Sequence, residues 1–228
     1  MISMMARTLV QTIVWLGSMA LCLFLAAGSW AWVQAWVFIA IFFFGSLGFA
    51  AWLAPRDPAL LNSRMEPLAQ KGQPLWDRAF LLGFIGVWYL WLILMGWDTQ
   101  RYHWSSLPVV ANAIGAALIV AGFLATLAVF RANSFAAPQV RVQSDREQRV
   151  IDGGPYALVR HPMYAAAILY LFGMPLLLGS AYGLMAPPLF IVGVSLRAIG
   201  EERTLARELP GYADYMTRVR YRLIPGVW

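Results

Sequence analysis

Long runs of apolar residues, separated by shorter polar segments, dominate the pattern of this chain. Four segments carry no charged side chain, and they are 48, 19, 29 and 36 residues long (residues 8–55, 79–97, 102–130 and 161–196). A helix needs about 20 apolar residues to cross the hydrocarbon core of a bilayer. The pattern predicts an all-α, multi-spanning helical membrane protein, and it excludes a soluble enzyme with a conventional polar surface.

The first run is too long for one span, because a helix of this length would extend about 72 Å. Gly28 and Ser29 provide a turn within it. We therefore predict four spans in the first part of the chain. A cleaved signal peptide is the alternative for the first span, but its apolar run is long for a signal sequence and a second span follows almost at once. The predicted spans cover residues 9–27, 32–53, 79–97 and 108–130.

The last run, residues 161–196, allows either one long tilted helix or two shorter ones. A Gly-Ser-Ala-Tyr-Gly segment in its middle and the Pro187-Pro188 pair favour two helices joined by a turn. The prediction is about six spans, with five as the alternative, followed by a helical C-terminal tail. We treat residues 1–228 as a single membrane domain with a four-span region, 1–130, and a C-terminal region, 131–228.

The charged residues orient the predicted bundle. The net charge is +6, from 17 basic and 11 acidic residues. With six spans, 16 of the 17 basic residues, Lys71 among them, fall on one face, and only Arg101 falls on the other. The positive-inside rule then places both termini and the charged face in the cytoplasm, with the protein in the cell (inner) membrane. Five spans would place the arginine-rich tail outside, so the charge count favours six.

Other ligand classes receive little support from the sequence. The basic excess is also explained by anchoring to anionic lipid head groups, and no nucleic-acid-binding motif accompanies it. The single cysteine, Cys22, cannot form an internal disulfide or a thiolate zinc site. Phosphate-loop, dinucleotide and metalloprotease motifs are absent. We expect the bilayer and a lipophilic substrate as partners, and neither nucleic acid nor a metal.

A first polar segment, GGPYALVRHPMY, ends at Tyr164 just inside the last apolar run. Pro162 suits the first turn of a helix, which makes His161 its cap. Tyr156, Arg160 and Tyr164 are spaced four apart, but Pro162 interrupts the helix between them. A loop whose aromatic and basic side chains mark the lipid interface would explain the same residues.

A second polar segment, RAIGEERTLAREL, begins at Arg197 and leaves the last apolar run. Arg197 and Glu201 are one helical turn apart, so they are expected to share a face and to pair. Glu201 and Glu202 are adjacent acids at a membrane boundary and need cationic partners. Alternatively, Arg197 extends to the interface and the acids belong to a solvated helix face.

In this order, RHPMY, an Arg four residues before EExxL, Gly-Tyr-x-x-Tyr and a terminal Arg-Leu-Ile-Pro resemble the isoprenylcysteine carboxyl methyltransferase family. That group also includes phospholipid methyltransferase-like membrane proteins. The resemblance covers about residues 130–225 and implies S-adenosylmethionine as the cofactor, enclosed between the last helices and the tail. The cofactor contacts that it implies are Gln148, Arg149, Val150, Ile151, Tyr156, Arg160, His161, Pro162, Met163, Tyr164 and Glu201, with Arg141 or Gln143 as further candidates.

The resemblance also implies a catalytic and substrate-binding role for Arg197, facing the reacting methyl group. A carboxylate acceptor would need no general base, and Arg197 could hold it with two hydrogen bonds. An amine or thiol would have to lose a proton, and Glu202 or Tyr215 are candidate bases by proximity in the sequence. The predicted function is S-adenosylmethionine-dependent methyl transfer to a lipophilic acceptor, either isoprenylcysteine carboxylate-like or another carboxylate, amine or thiol.

Two alternatives compete with this prediction. A sterol-reductase-like membrane oxidoreductase would bind NADPH, and a cluster of basic side chains would hold its 2′-phosphate. A transporter or scaffold would not be an enzyme, but transporters place ionisable residues near mid-membrane, and the four uncharged runs offer none. The basic cluster available to NADPH is Arg141, Arg146, Arg149 and Arg160.

Overall fold

A computed structural model describes residues 2–67 and 72–228, and this part of the chain contains helices but no strand. Lys71, which the charge count includes, lies outside the described residues. The predicted all-α fold is confirmed. The α-helices of the described residues are α1 (Ile2–Ala27), α2 (Val33–Arg56), α3 (Pro58–Arg64), α4 (Leu75–Gly96), α5 (Val109–Ala132), α6 (Pro162–Leu178), α7 (Pro187–Glu208) and α8 (Tyr212–Arg218).

Within the described part of the chain, five helical stretches are long and apolar enough to cross a membrane, so the protein is a multi-pass membrane protein. The predicted hairpin in residues 161–196 is confirmed, because α6 and α7 are separate helices. Gly179 ends α6 at a φ of +83°, a conformation that favours glycine. At 17 residues, α6 lies at the lower limit for a span. The five stretches are Met4–Ala27, Val33–Arg56, Leu75–Arg101, Val109–Ala132 and Tyr182–Glu208.

The short helix α6 packs closely against α5 inside the bundle. A Cβ atom on Gly115 would lie 2.6 Å from the carbonyl oxygen of Gly173, and closer still to the backbone nitrogen of Leu177. Asn112 donates hydrogen bonds to the carbonyl oxygens of Leu176 (2.9 Å) and Leu177 (3.1 Å) at the end of α6. The carbonyl oxygen of Leu176 also accepts from the backbone N–H of Gly179 (3.2 Å), so the helix cap and α5 together satisfy the C-terminus of α6.

Replacing Gly115 by Ala is expected to destabilise the protein by about 1–3 kcal/mol, because the methyl group meets backbone atoms that cannot move aside. Denaturant titration in micelles would measure the change. Gly86→Ala is the matched control, since nothing lies within 4 Å of the Cβ position there. Equal stability of the Gly115 and Gly86 variants would contradict this account of the α5–α6 packing.

At the end of the bundle that has few charges, a buried carboxylate connects two helical segments. The predicted third span is longer than expected, since α4 continues through a π-helical turn, Trp97–Arg101. Asp98 in this turn is fully buried, and its Oδ2 accepts hydrogen bonds from Ser105 (2.7 Å) and Ser180 (2.6 Å). The backbone N–H of Tyr182 also donates to it. Asp98 therefore fixes the α6–α7 turn to the end of α4.

The charged segments meet at the opposite end of the bundle. Arg7 of α1 donates to the carbonyl oxygen of Met65 (3.0 Å), just after α3. Arg64 of α3 donates to the carbonyl oxygen of Ala136 (2.8 Å), in the segment after α5. As predicted, the N-terminus, the α2–α4 connection and the segment after α5 share one end, and this end carries the candidate site.

Candidate functional site

A cavity of about 820 Å³, measured with the open space at its mouth, lies at the charged end of the bundle. All eleven residues predicted to contact a cofactor line it, and so do Arg141, Tyr212 and Tyr215. Two stretches far apart in the sequence, one around 148–164 and one beginning at Glu201, thus form one site. The remaining walls come from the segment after α5 and from α7, namely Asn133, Phe135, Ala136, Ala137, Gln139, Val140, Leu205 and Leu209.

Glu202 is a buried hub behind this cavity rather than part of its wall. Its Oε1 lies 2.6 Å from Arg160 Nε and 3.2 Å from His161 Nε2. Its Oε2 lies 2.9 Å from Arg222 Nε. A carboxylate held by two guanidinium groups and an imidazole is a weak base, so the geometry does not support Glu202 as the general base.

The C-terminal tail is held against the start of α6 by the same residues. The backbone N–H groups of Arg160 and His161 donate to the carbonyl oxygens of Tyr221 and Arg222, both at 2.9 Å. The Arg160 side chain also donates to the carbonyl oxygen of Val219 (2.8 Å). The guanidinium of Arg160 thus contacts both the tail and Glu202. The tail closes one side of the site.

Glu201 presents its carboxylate to the cavity. Its Oε2 accepts a hydrogen bond from the hydroxyl of Tyr164 (2.6 Å) and lies 3.9 Å from His161 Nδ1. The rings of His161 and Tyr164 stack with centroids 5.3 Å apart. His161 occupies the predicted cap position of α6, although its side chain makes no capping hydrogen bond. These three side chains form a fixed acidic and aromatic corner.

Arg197 does not pair with Glu201, contrary to the expectation from their spacing. Its Nε lies 2.8 Å from Asp77 Oδ1 on α4, and its guanidinium lies over the ring of Tyr164, 5.7 Å from the centroid. Asp77 is fully buried and also accepts a hydrogen bond from the backbone N–H of Val140 (3.0 Å). The neighbouring helix α4 provides a buried partner for Arg197, and the spacing of residues along the sequence could not reveal it. Arg197 therefore lies behind Tyr164, outside the cavity wall.

Three tyrosines lie on the tail side of the cavity, and two of them make hydrogen bonds. Asn133 donates a hydrogen bond to the hydroxyl of Tyr156 (2.7 Å), and Tyr215 donates to the carbonyl oxygen of Tyr156 (2.8 Å). Burial raises the pKa of Tyr156 to about 12, and it raises the pKa values of Tyr212 and Tyr215 well above their usual range. These groups stay protonated at neutral pH, so the geometry supports Tyr215 as a wall residue rather than a base.

Most of the basic side chains proposed for an NADPH phosphate are already engaged. Arg160 is held by Glu202, and Arg141 lies 3.5 Å from Asp145 and 3.8 Å from Glu66. Arg146 donates to the side-chain oxygen of Gln143, which itself is buried and donates to a backbone carbonyl. Of these four arginines, only Arg149 is exposed and also lines the cavity. The NADPH alternative therefore finds no preformed phosphate cluster.

Sequence comparison finds one family that is similar to part of this chain. Residues 110–210 match the family model of the phospholipid methyltransferases. This match confirms the family-level resemblance predicted from the motifs, and it supports a membrane methyltransferase. The matched residues begin in α5 and end just before α8, so they include both segments that meet at the cavity. A comparison with curated proteins found no match.

The cavity wall has the chemical groups that S-adenosylmethionine requires. The cofactor carries an ammonium group, a carboxylate, a ribose, an adenine and a sulfonium. Glu201 offers an acceptor for the ammonium group, and Tyr156 offers an aromatic face to the adenine or the sulfonium. Arg149 and His161 offer donors to the carboxylate or the ribose. In residues 2–67 and 72–228, no group of three or more His, Cys, Asp and Glu side chains has a metal-binding arrangement.

Proposed function

We propose that this protein is a membrane-embedded, S-adenosylmethionine-dependent methyltransferase that acts on a lipophilic acceptor. The observation that carries the proposal is the convergence of all eleven predicted cofactor residues on one cavity. The family match supports the reaction class. Residues 131–228 would form the cofactor-binding region, and the positive-inside rule supports a cytoplasmic site with both termini on that side of the cell membrane.

When bound, the cofactor supplies a methyl group that is already activated by the sulfonium. The protein then has to bind the cofactor and the acceptor, align them with each other, and exclude water. Glu201, fixed by Tyr164, would hold the ammonium group, and the stacked His161 and Tyr164 rings would define the depth of the site. Tyr212 and Tyr215 of the tail would cover it. No side chain of the site has to accept a proton if the acceptor is a carboxylate.

Arg197 keeps a positioning role in this proposal. Its guanidinium fixes the Tyr164 ring from behind and, through Asp77, the 138–140 segment of the wall. A direct catalytic contact would require the side chain to reach past Tyr164 when an acceptor is bound. Glu202 likewise positions His161 and Arg160 and is not proposed to take a proton.

The reaction itself is tested with a labelled methyl donor and pools of lipids, lipid carboxylates and small lipophilic thiols or amines. The proposal predicts transfer of label to an acceptor that partitions into the membrane. Folded protein that binds the donor but labels nothing in these pools would contradict the lipophilic acceptor. Transfer only to a water-soluble acceptor would contradict it as well.

Glu201→Gln is expected to weaken S-adenosylmethionine binding about tenfold or more, because the charge-assisted bond to the ammonium group is lost. Isothermal titration would measure the dissociation constant. Glu208→Gln, at the exposed end of the same helix, removes the same charge outside the cavity and should leave binding unchanged. Equal effects of the two substitutions would point to net charge rather than to a contact of Glu201.

A further inference from the structure

A second cavity lies beside the first, within the membrane-spanning part of the bundle. It is lined by α1, α2, α3, α5 and α6 and has a volume of about 1310 Å³ with its mouth. Phe42, Phe49 and Phe123 form a connected aromatic group on its wall, with ring centroids 5.2–5.4 Å apart. A cavity with such an aromatic wall suits an apolar chain, because burial of apolar surface is the main source of binding free energy there.

Of the residues that the structure describes, Arg64 is the one cation on the wall of this second cavity. Its guanidinium donates to the carbonyl oxygen of Ala136 (2.8 Å), lies 3.9 Å from Met163 Sδ and packs over the ring of Phe130, 4.7 Å from the centroid. Among the described residues, no carboxylate lies within ion-pair distance of it. Burial lowers the pKa of Arg64 to about 10, which leaves it charged at neutral pH.

A partly buried cation without a carboxylate partner is costly, and it favours any anion that reaches it. Several other buried or half-buried basic residues of this end do have such partners: Arg160 and Arg222 bind Glu202, and Arg197 binds Asp77. The contrast marks Arg64 as a site for an anion that is not part of the protein. Because its cavity is otherwise largely apolar, that anion would be the head group of an amphiphile.

Arg64 and Met163 also connect the two cavities. Met163 lines both of them, and Ala136, the hydrogen-bond partner of Arg64, lines the cofactor cavity. An anionic group at Arg64 would therefore lie next to the wall that the two cavities share. An apolar chain attached to it would extend among the aromatic rings between α1, α2 and α5.

We propose that the second cavity binds a lipid anion, with its head group on Arg64 and its apolar chain among the rings of Phe42, Phe49 and Phe123. The role of this lipid as the methyl acceptor rests on the proposed methyltransferase function. The binding of the lipid anion does not, because it follows from Arg64 and from the second cavity alone.

Binding of a fluorescent polyene fatty acid and of its uncharged methyl ester, measured against empty nanodiscs, tests the proposal. The protein in nanodiscs is expected to bind the acid about tenfold or more tightly than the ester, because only the acid forms a charge-assisted bond. Arg64→Gln should abolish this preference and Arg64→Lys should keep it. Arg56→Gln, an exposed arginine of the same end, should leave it unchanged.

Ser46 lines the cavity, so Ser46→Phe should weaken binding of both the acid and the ester by filling it. Gly48→Phe adds a ring to the same helix where nothing lies within 4 Å, and it should change neither. Equal affinity of the wild-type protein for acid and ester, or a preference that survives Arg64→Gln, would overturn the proposal. So would unchanged binding in Ser46→Phe. A failure to bind S-adenosylmethionine would instead contradict the proposed function and leave these results intact.

Discussion

Glu202→Gln is expected to lower the free energy of unfolding of the C-terminal region by about 3–5 kcal/mol, the usual cost of removing one partner of a buried ion pair. Glu202 is 3% exposed and contacts Arg160, His161 and Arg222. The substitution preserves the shape of the side chain but leaves both guanidinium groups without their counter-charge. The loss should therefore be electrostatic in origin rather than a packing defect.

The effect should be strongest where the tail meets α6. Hydrogen exchange of residues 219–228 is expected to accelerate in Glu202→Gln, because the pairing of Arg160 and His161 with Tyr221 and Arg222 depends on the same hub. The affinity for the cofactor should decrease in the same variant, because the tail closes the cavity. Glu208→Gln removes the same charge from an exposed position of α7 and should change stability by no more than about 0.5 kcal/mol. Unchanged exchange in Glu202→Gln would show that the hub does not hold the tail.

The second large effect is expected at the buried pair between α4 and α7. Asp77→Asn and Arg197→Gln should each destabilise the protein by about 3–5 kcal/mol, because each leaves an uncompensated buried charge. The double variant carries no charge at either position and should recover part of that loss. Denaturant titrations of the four proteins give the coupling energy directly.

An exposed pair provides the control for this cycle. Arg218 and Asp152 lie 2.9 Å apart with side chains that are 60% and 49% exposed, so breaking this pair should cost at most about 1 kcal/mol. Additive losses at Asp77 and Arg197 would contradict the pairing. Methyl transfer gives an independent readout, since the double variant should keep cofactor binding but lose turnover if Arg197 positions the wall for the reaction. Full activity in the double variant would remove Arg197 from the mechanism.

The fold was predictable because its strongest signal, the long uncharged runs, is visible in the sequence itself. Runs of uncharged residues define membrane helices with little influence from tertiary contacts, since the bilayer demands both length and apolarity. The turn between α6 and α7 followed from Gly179 and the Pro187-Pro188 pair in the same way. The extension of α4 through Asp98 did not follow from the sequence, because the three groups that donate hydrogen bonds to Asp98 belong to segments later in the chain.

The cavity wall was predictable from the motifs, whereas the partners of its charged residues were not. Residues 148–164 and Glu201 meet as the resemblance implied. The spacing of Arg197 and Glu201 predicted a pair that does not form, because Asp77 approaches Arg197 from a helix 120 residues away. Asp77 was visible as an acid in the first turn of an apolar helix, and Arg222 as a base near the C-terminus. Neither could be assigned a partner without the packing of the helices.

Binding of S-adenosylmethionine to the purified protein in nanodiscs, followed by isothermal titration alongside NADPH, tests the central claim most directly. The account predicts saturable binding of S-adenosylmethionine that His161→Ala and Glu201→Gln weaken, and it predicts no saturable binding of NADPH. Folded protein that fails to bind S-adenosylmethionine, or that binds NADPH in its place, would contradict it.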